Sequence, residues 1–395
     1  DVFLSAGFIS YSGAFTGDFR DKLTEGWVEQ LTEATLPCSK TPTLVGTMGD
    51  AVEIRGWQLH SLPSDPVSVD NALLVTRGKR WPLCIDPQGQ AHSWICDMEE
   101  EHNLEVTTMA DKNMLRSVEN CIRVGRPLLF EDCGESLDPA LEPVLARATY
   151  KQGGRILIHL GDSDIDYDEN FRFYMTTRMP NPHYLPEICI KVTVINFTVT
   201  LDGLQDQLLA DVVNIERPDV EERKVALLLG IAADKKKLSD IQDEILRSLS
   251  ASEGNILDDA ELIDTLGVAK ETAAVIDVRV ADAETTQAEI KVTREAYIPV
   301  AKRVGLIYFV VADLASIDPM YQYSLEFYAA LYRRIVKDAK PSDDFEERLQ
   351  ILLDAVALVI YQNVCRGLFE KDRSLFSCLI CGVLLRDRGE ILATE

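Results

Sequence analysis

Between Pro82 and Phe197 short apolar runs alternate with amphipathic stretches, and this alternation restricts the fold more than any other feature of the chain. Pro82-Leu-Cys-Ile-Asp86, Glu105-Val-Thr-Thr108, Pro127-Leu-Leu-Phe-Glu131, Arg155-Ile-Leu-Ile-His159, Phe171-Arg-Phe-Tyr-Met-Thr-Thr177 and Val192-Thr-Val-Ile-Asn-Phe197 read as strands. Helical patterns fill the gaps at 91–102, 112–124 and 138–148. Strands that short, with little polar alternation, are buried on both faces, which predicts a mostly parallel sheet covered by helices. Ahead of it, residues 1–40 read as helix, with Phe15, Phe19, Leu23 and Trp27 at steps of four along one face. Residues 54–76 read as a loop leading into a short strand ending at Thr76.

After Thr200 the pattern becomes helical throughout. Residues 218–250 and 258–297 are charged and Gly-poor, and a turn sequence, Ser252-Glu-Gly254-Asn255, separates them. Asp258 suits the N-cap of the second arm. In that arm Leu262, Leu266, Ala269, Ala273, Ile276, Val280, Ala283, Gln287 and Ile290 repeat at alternating steps of four and three, a coiled-coil seam. The first arm carries Val225, Leu228 and Ala232, then slips phase near Lys235 before Leu238, Ile241, Ile245 and Leu249, which marks a place to bend. Each arm would reach ~50 Å at 1.5 Å per residue. An antiparallel hairpin projecting from the α/β domain is the expectation, and a pair of ordinary bundle helices the plainer alternative. Stretches 306–314, 321–336, 345–368 and 374–385 are helical and more apolar, as in a compact helical subdomain or in helices leading into another module.

A net charge of −25 excludes the basic stripe that a nucleic-acid surface needs, and it would repel an anionic membrane. No signal peptide is evident, and no apolar run reaches the ~18 residues expected of a spanning helix. Both chain ends read as cut from a longer polypeptide. Nine cysteines without regular spacing fit free, mostly buried thiols in a reducing compartment. Cys378-Leu-Ile-Cys381 is a lone CxxC in an apolar run, read as core packing rather than zinc. The sequon Asn196-Phe-Thr198 lies in an apolar strand and reads as incidental.

The strand–turn–helix at 84–94 is where a phosphate loop would lie. A working loop needs GxxxxGK[ST], so that backbone amides surround the phosphates, Lys reaches the terminal ones and the hydroxyl holds Mg²⁺. Here Asp86, Pro87, Gln88, Gly89, Gln90, Ala91, His92 and Ser93 offer one glycine, no lysine, and a proline that removes an amide donor. Glu131 and Asp132 end a strand like a Walker B element, whose carboxylates hold Mg²⁺ in an intact site. Without the lysine they have no substrate to work on. Gly161-Asp-Ser-Asp-Ile-Asp-Tyr-Asp168 spaces carboxylates like the start of a calcium loop, yet counting from Asp162 the sixth and twelfth positions are Tyr167 and Phe173 instead of Gly and Glu. An exposed loop is the better reading. The five histidines and the serines form no nucleophile–base set, so neither a catalytic residue nor a metal site is expected in this chain.

Several long motifs carry a family resemblance. Arg80-Trp-Pro-Leu-Cys-Ile-Asp-Pro-Gln-Gly-Gln-Ala91, Asn170-Phe-Arg-Phe-Tyr-Met-Thr-Thr-Arg178, Asn181-Pro-His-Tyr-Leu-Pro-Glu187, Glu253-Gly-Asn-Ile-Leu-Asp258, Asp318-Pro-Met-Tyr-Gln-Tyr-Ser-Leu325 and Asn363-Val-Cys-Arg-Gly-Leu-Phe-Glu370 resemble dynein heavy chain motor sequence, in order along the whole chain. The forms at 86–91 and 318–325 are similar to axonemal dyneins, and 161–168 resembles the single-headed inner-arm group.

The resemblance implies a degenerate, P-loop NTPase-like α/β large subdomain of the fifth AAA+ module at 41–202, entered at 1–40 by a helical connection from the microtubule-binding stalk. It implies that 203–300 is the strut, or buttress, coiled-coil hairpin, and that 301–395 is the helical small subdomain leading to the sixth module. No cofactor would be bound by this segment, while ATP and Mg would act in other modules of the heavy chain. Partners would be the stalk and adjacent modules, with microtubules and dynein intermediate and light chains reached through the full complex in the axoneme of a cilium or flagellum. Lys191 falls where an arginine finger serving the preceding module's site is expected, but it lacks the planar fork of arginine. The rival expectations are an independent P-loop-like ATPase and a free-standing coiled-coil scaffold or adaptor derived from a motor.

Overall fold

The computed structural model describes residues 1–39, 41–161, 163–220, 290–342 and 344–391, with isolated positions between 222 and 288. Most of both hairpin arms, their turn, the seam and the phase slip at 235–238 therefore lie outside the described residues, apart from a few positions such as Ile231 and Ile276. The chain divides into two compact units, Asp1–Gly203 and Leu204–Glu395.

The first unit is built on five parallel strands: β1 (Trp81–Ile85), β2 (Glu105–Thr108), β3 (Leu128–Glu131), β7 (Phe173–Thr177) and β8 (Val192–Asn196). Their order across the sheet is β2-β3-β7-β1-β8, all pairs parallel. Side chains alternate between the two faces, as the pleat requires. Leu83, Leu128, Phe130, Phe173 and Met175 enter one core, while Cys84, Leu129, Tyr174 and Ile195 enter the other. Helices α6 (Gln90–Glu99) and α7 (Met114–Val124) complete the covering layers, with Trp94 buried in the second core and Val118 and Ile122 in the first. Double burial explains why these strands read as unbroken apolar runs.

Two expectations fail between β3 and β7. The run at 155–159 does not join the parallel sheet, and the acidic stretch is not wholly loop. They form a separate antiparallel sheet of β4 (Thr149–Gln152), β5 (Arg155–Leu160) and β6 (Ser163–Asp166). Gly153 and Gly154 both have positive φ, at 61° and 81°, as a two-residue hairpin turn demands. Ile158, Leu160 and Ile165 bury one face. The carboxylates on the other are taken across the strands: Asp164 meets His159 Nδ1 at 2.8 Å and Asp166 meets Arg155 at 3.6 Å. Asp162 is outside the described residues.

The segment before β1 is also corrected. Instead of a loop and a strand it holds α3 (Leu44–Met48), α4 (Ala51–Leu59) and α5 (Pro66–Arg77). Asp65 caps α5 by accepting from the Ser68 amide at 3.1 Å, with Pro66 at the first helical position. The run Ala72-Leu73-Leu74-Val75 is buried on every side, which erases the helical period. Residues 1–40 hold two helices, α1 (Val2–Tyr11) and α2 (Gly17–Glu33). Buried Arg20 fixes the break, donating to the carbonyls of Ser12 at 3.0 Å, Gly13 at 2.8 Å and Phe15 at 3.0 Å. Phe15 lies in that turn with its ring tilted at 45° against Phe19, and both stay partly exposed instead of forming a buried stripe.

In the second unit the helices Ile298–Asp313, Leu325–Asp338, Phe345–Gly367 and Glu370–Asp387 pack together. Ser324 and Asp344 cap two of them through the amides of Phe327 and Glu346. Val304, Val311, Tyr332, Val356, Ile360 and Phe376 are fully buried. Two sequence expectations change here. Helix Phe345–Gly367 is long and apolar enough, by length and composition, to cross a membrane; its buried stripe of Leu352, Val356, Ile360 and Val364 is accounted for by packing in this unit. Cys378 and Cys381 are exposed, as is Cys189, so the CxxC is not core. Only Ile380 within it points inward, because a step of three puts both thiols on the outer face.

Candidate functional site

The loop after β1 lies at the carboxyl edge of the sheet, where the strand order reverses between β1 and its neighbours and open α/β sheets hold their ligands. Asp86 directly follows β1, its amide donating to the Thr177 carbonyl at 2.8 Å. The chain then turns through Gly89, whose φ of 79° a side chain would resist, and enters α6. A helix starting there offers free amides to an anion. In this chain the anion is internal. The Asp86 carboxylate accepts from the Gln90 amide at 2.8 Å through one oxygen and from the His92 amide at 2.9 Å through the other. Asp86 is only 2% exposed. Burial raises its carboxyl above the ordinary range, against the pull of the amides of His92, Gln90 and Gly89.

His92, at the lysine position of the phosphate-loop pattern, is drawn away in the same manner. Its Nε2 meets Glu131 at the end of β3 and lies 3.9 Å from the Cys96 thiol one turn along α6. Cys96 and Glu131 together push the imidazole up to about 9, against the effect of burial. The folded value lies above the ordinary 6.5, so this contribution to stability is complete below pH 6.5 and is lost as pH rises through about 9. His92→Gln should therefore cost stability near pH 6, and its deficit against the wild type should shrink by pH 9. Urea midpoints of both proteins at the two pH values measure this; a deficit independent of pH would contradict it.

The remaining positions are also committed. Ser93 Oγ donates to the Gly89 carbonyl at 3.0 Å, Gln88 Oε1 accepts from the Val199 amide at 3.4 Å, and Ala91 is buried in the core behind the loop. Pro87 has no amide to offer. Asp132, at a φ of 50°, pairs with Arg178 Nε at 3.0 Å. Arg178 follows β7 directly, a position the sequence reading passed over although an arginine just beyond a central strand was visible. Lys191 ends α9 (Pro186–Lys191) and pairs with Glu142 of α8 (Glu142–Leu145). Asp86, Gln90, His92 and Glu131 are thus one connected cluster, whereas Asp132 and Lys191 each have separate partners.

This arrangement does not fit a nucleotide. A phosphate entering the loop would meet a buried carboxylate on the amides it needs, and like charges at that range repel strongly. The only cation within the loop is held by Glu131. Among the described residues no group of three or more His, Cys, Asp and Glu is placed to hold a metal ion.

Comparison with known proteins shows the family of the chain. Residues 55–276 match the family described as "ATP-binding dynein motor region". The whole chain is 48% identical over 395 residues to "Dynein axonemal heavy chain 6" of Homo sapiens, covering 10% of that protein. It is 48% identical over 395 residues to "Dynein axonemal heavy chain 1" of Mus musculus, covering 9% of it. Across 391 residues, 99% of the chain, it is 44% identical to "Dynein axonemal heavy chain 3" of Mus musculus, covering 10% of that relative. The chain thus spans about a tenth of the length of these relatives. With more than half of its residues inside the family match, the chain belongs to the ATP-binding dynein motor region family.

Proposed function

We propose that this chain is the fifth AAA+ module of an axonemal dynein heavy chain, a ring module that neither binds nor hydrolyses ATP and instead couples changes in the ring to the microtubule-binding stalk. The observation that carries the first half is the Asp86 carboxylate seated on the Gln90 and His92 amides. The family description speaks of ATP binding; in this reading ATP and Mg²⁺ act in other modules of the heavy chain. The coupling half is supported by the heptad spacing from Leu262 to Ile290, which suits a strut long enough to reach a neighbouring element. ATP-driven motion elsewhere in the ring would shift this strut between two positions and so bias the stalk, a two-state coupling between distant sites. The whole motor would then act on microtubules in the axoneme of a cilium or flagellum, with intermediate and light chains as further partners. In the same reading Lys191 serves a neighbouring module only after releasing Glu142.

The test is direct. The 395-residue chain with ATP and Mg²⁺ should show no ATPase activity, and titration calorimetry should detect no tight binding. Micromolar affinity for ATP would overturn the reading of a closed site.

A further inference from the structure

We propose that the groove between α1, α2 and α3 in the first unit is a docking site for a basic amphipathic helix. The groove has a cavity volume of about 860 Å³, and its floor is apolar, formed by Leu4, Phe8, Val28 and Leu44. Its rim is of one sign. Asp21, Glu25 and Glu29 follow one another at steps of four along α2, all three exposed. Among the described residues no lysine, arginine or histidine lines the cavity.

Two of the hydroxyls lining the groove are engaged with backbone. The Thr24 hydroxyl donates to the Arg20 carbonyl at 2.9 Å, and the Thr43 hydroxyl accepts from the Gly46 amide at 3.1 Å. Arg20 directs its Nε and Nη2 to three backbone carbonyls at the α1–α2 break. Asp70 of α5 also lines the groove. Burial pushes its carboxyl up to about 6; Arg20 offsets this only partly, while Asp21 and Asp65 add to it. A carboxylate in that condition gains from any cation brought into the groove from outside.

The occupant follows from this geometry. Four residues rise ~6 Å along a helix, so Lys or Arg at the same step on a partner helix can face Asp21, Glu25 and Glu29 in register. Its apolar stripe would cover the floor, as in helix-in-groove recognition. Nucleic acid and anionic membrane are disfavoured, because their phosphates would meet carboxylates.

The experiment uses the 395-residue chain and two fluorescein-labelled helical peptides of roughly 15 residues, one of Leu and Lys in amphipathic order and the other with Glu in place of Lys. Fluorescence anisotropy should show saturable binding of the Leu/Lys peptide and none of the Leu/Glu peptide. Asp21→Asn/Glu25→Gln/Glu29→Gln should weaken binding about ten-fold or more, as three exposed ion pairs are lost. Val28→Asn should weaken it as well, through the floor. Neutralising three exposed carboxylates of the second unit, Glu326→Gln/Glu346→Gln/Glu370→Gln, should change affinity less than about two-fold by the same scale of exposed charges. Circular dichroism confirms that each variant is folded. Equal loss in the two triple variants would show attraction to net negative charge alone and overturn the proposal. So would unchanged binding in the α2 variant, or equal binding of the Leu/Glu peptide.

Discussion

Asp86→Gly together with His92→Lys is expected to make this chain bind ATP–Mg²⁺ more tightly than the wild type. The glycine removes the internal carboxylate, freeing the Gln90 and His92 amides it now occupies. The lysine restores a cation long enough to leave Glu131 and reach the terminal phosphates. Hydrogen bonds to a charged acceptor contribute about 1.5–3 kcal/mol each. Two of them amount to about 3–6 kcal/mol, roughly a hundred-fold to ten-thousand-fold in affinity. The effects should not be additive. Asp86→Gly alone opens the amides but leaves His92 on Glu131, and His92→Lys alone sets a phosphate against a buried carboxylate. Affinity should stay below that of a working loop, because Pro87 lacks an amide and Ala91 stands where the second glycine belongs. Calorimetry of the four proteins decides the matter. A double variant that binds no better than the wild type would show that Asp86 is not what closes the site.

Arg348→Met is expected to destabilise the second unit by about 3–5 kcal/mol, the cost of leaving one member of a buried ion pair without its partner. Arg348 and Glu216 are only 11% and 14% exposed, with Nη2 to Oε1 at 2.7 Å. The same guanidinium donates to the carbonyls of Val336, Ala339 and Lys340, closing the end of helix Leu325–Asp338. The loss therefore strands a carboxylate and three carbonyls. Adding Glu216→Gln should recover part of the stability by removing the stranded charge, and the double-mutant cycle gives the coupling. Urea unfolding followed by circular dichroism reads both. A single-variant loss under about 1 kcal/mol would place the pair with ordinary surface ion pairs.

The strands of the parallel sheet were legible because each is buried on two faces and bounded by turn residues, so composition alone marks them. Pro82-Leu-Cys-Ile and Leu128-Leu-Phe-Glu could hardly be anything else. The helices at 51–77 were not legible. Burial of Ala72 to Val75 on all sides removes the polar face that reveals a helix, and an apolar run of four then imitates a strand. Nor was the antiparallel sheet at 149–166, whose existence depends on a glycine pair adopting positive φ and on Ile158 and Ile165 finding the same core as Trp81. The CxxC at 378–381 misled for the opposite reason: an apolar neighbourhood in sequence became the outer face of a helix.

At the loop after β1, the sequence by itself determined what is missing: a lysine, both glycines of the pattern and one amide. Absences of that kind are read residue by residue, since each phosphate contact requires a specific group. Tertiary structure decided what replaced them. It carried Asp86 back over the amides of α6 and brought His92 onto Glu131, 39 positions away in the chain. Those contacts depend on where a parallel sheet sets neighbouring strand ends, a through-space relation that spacing along the chain does not encode.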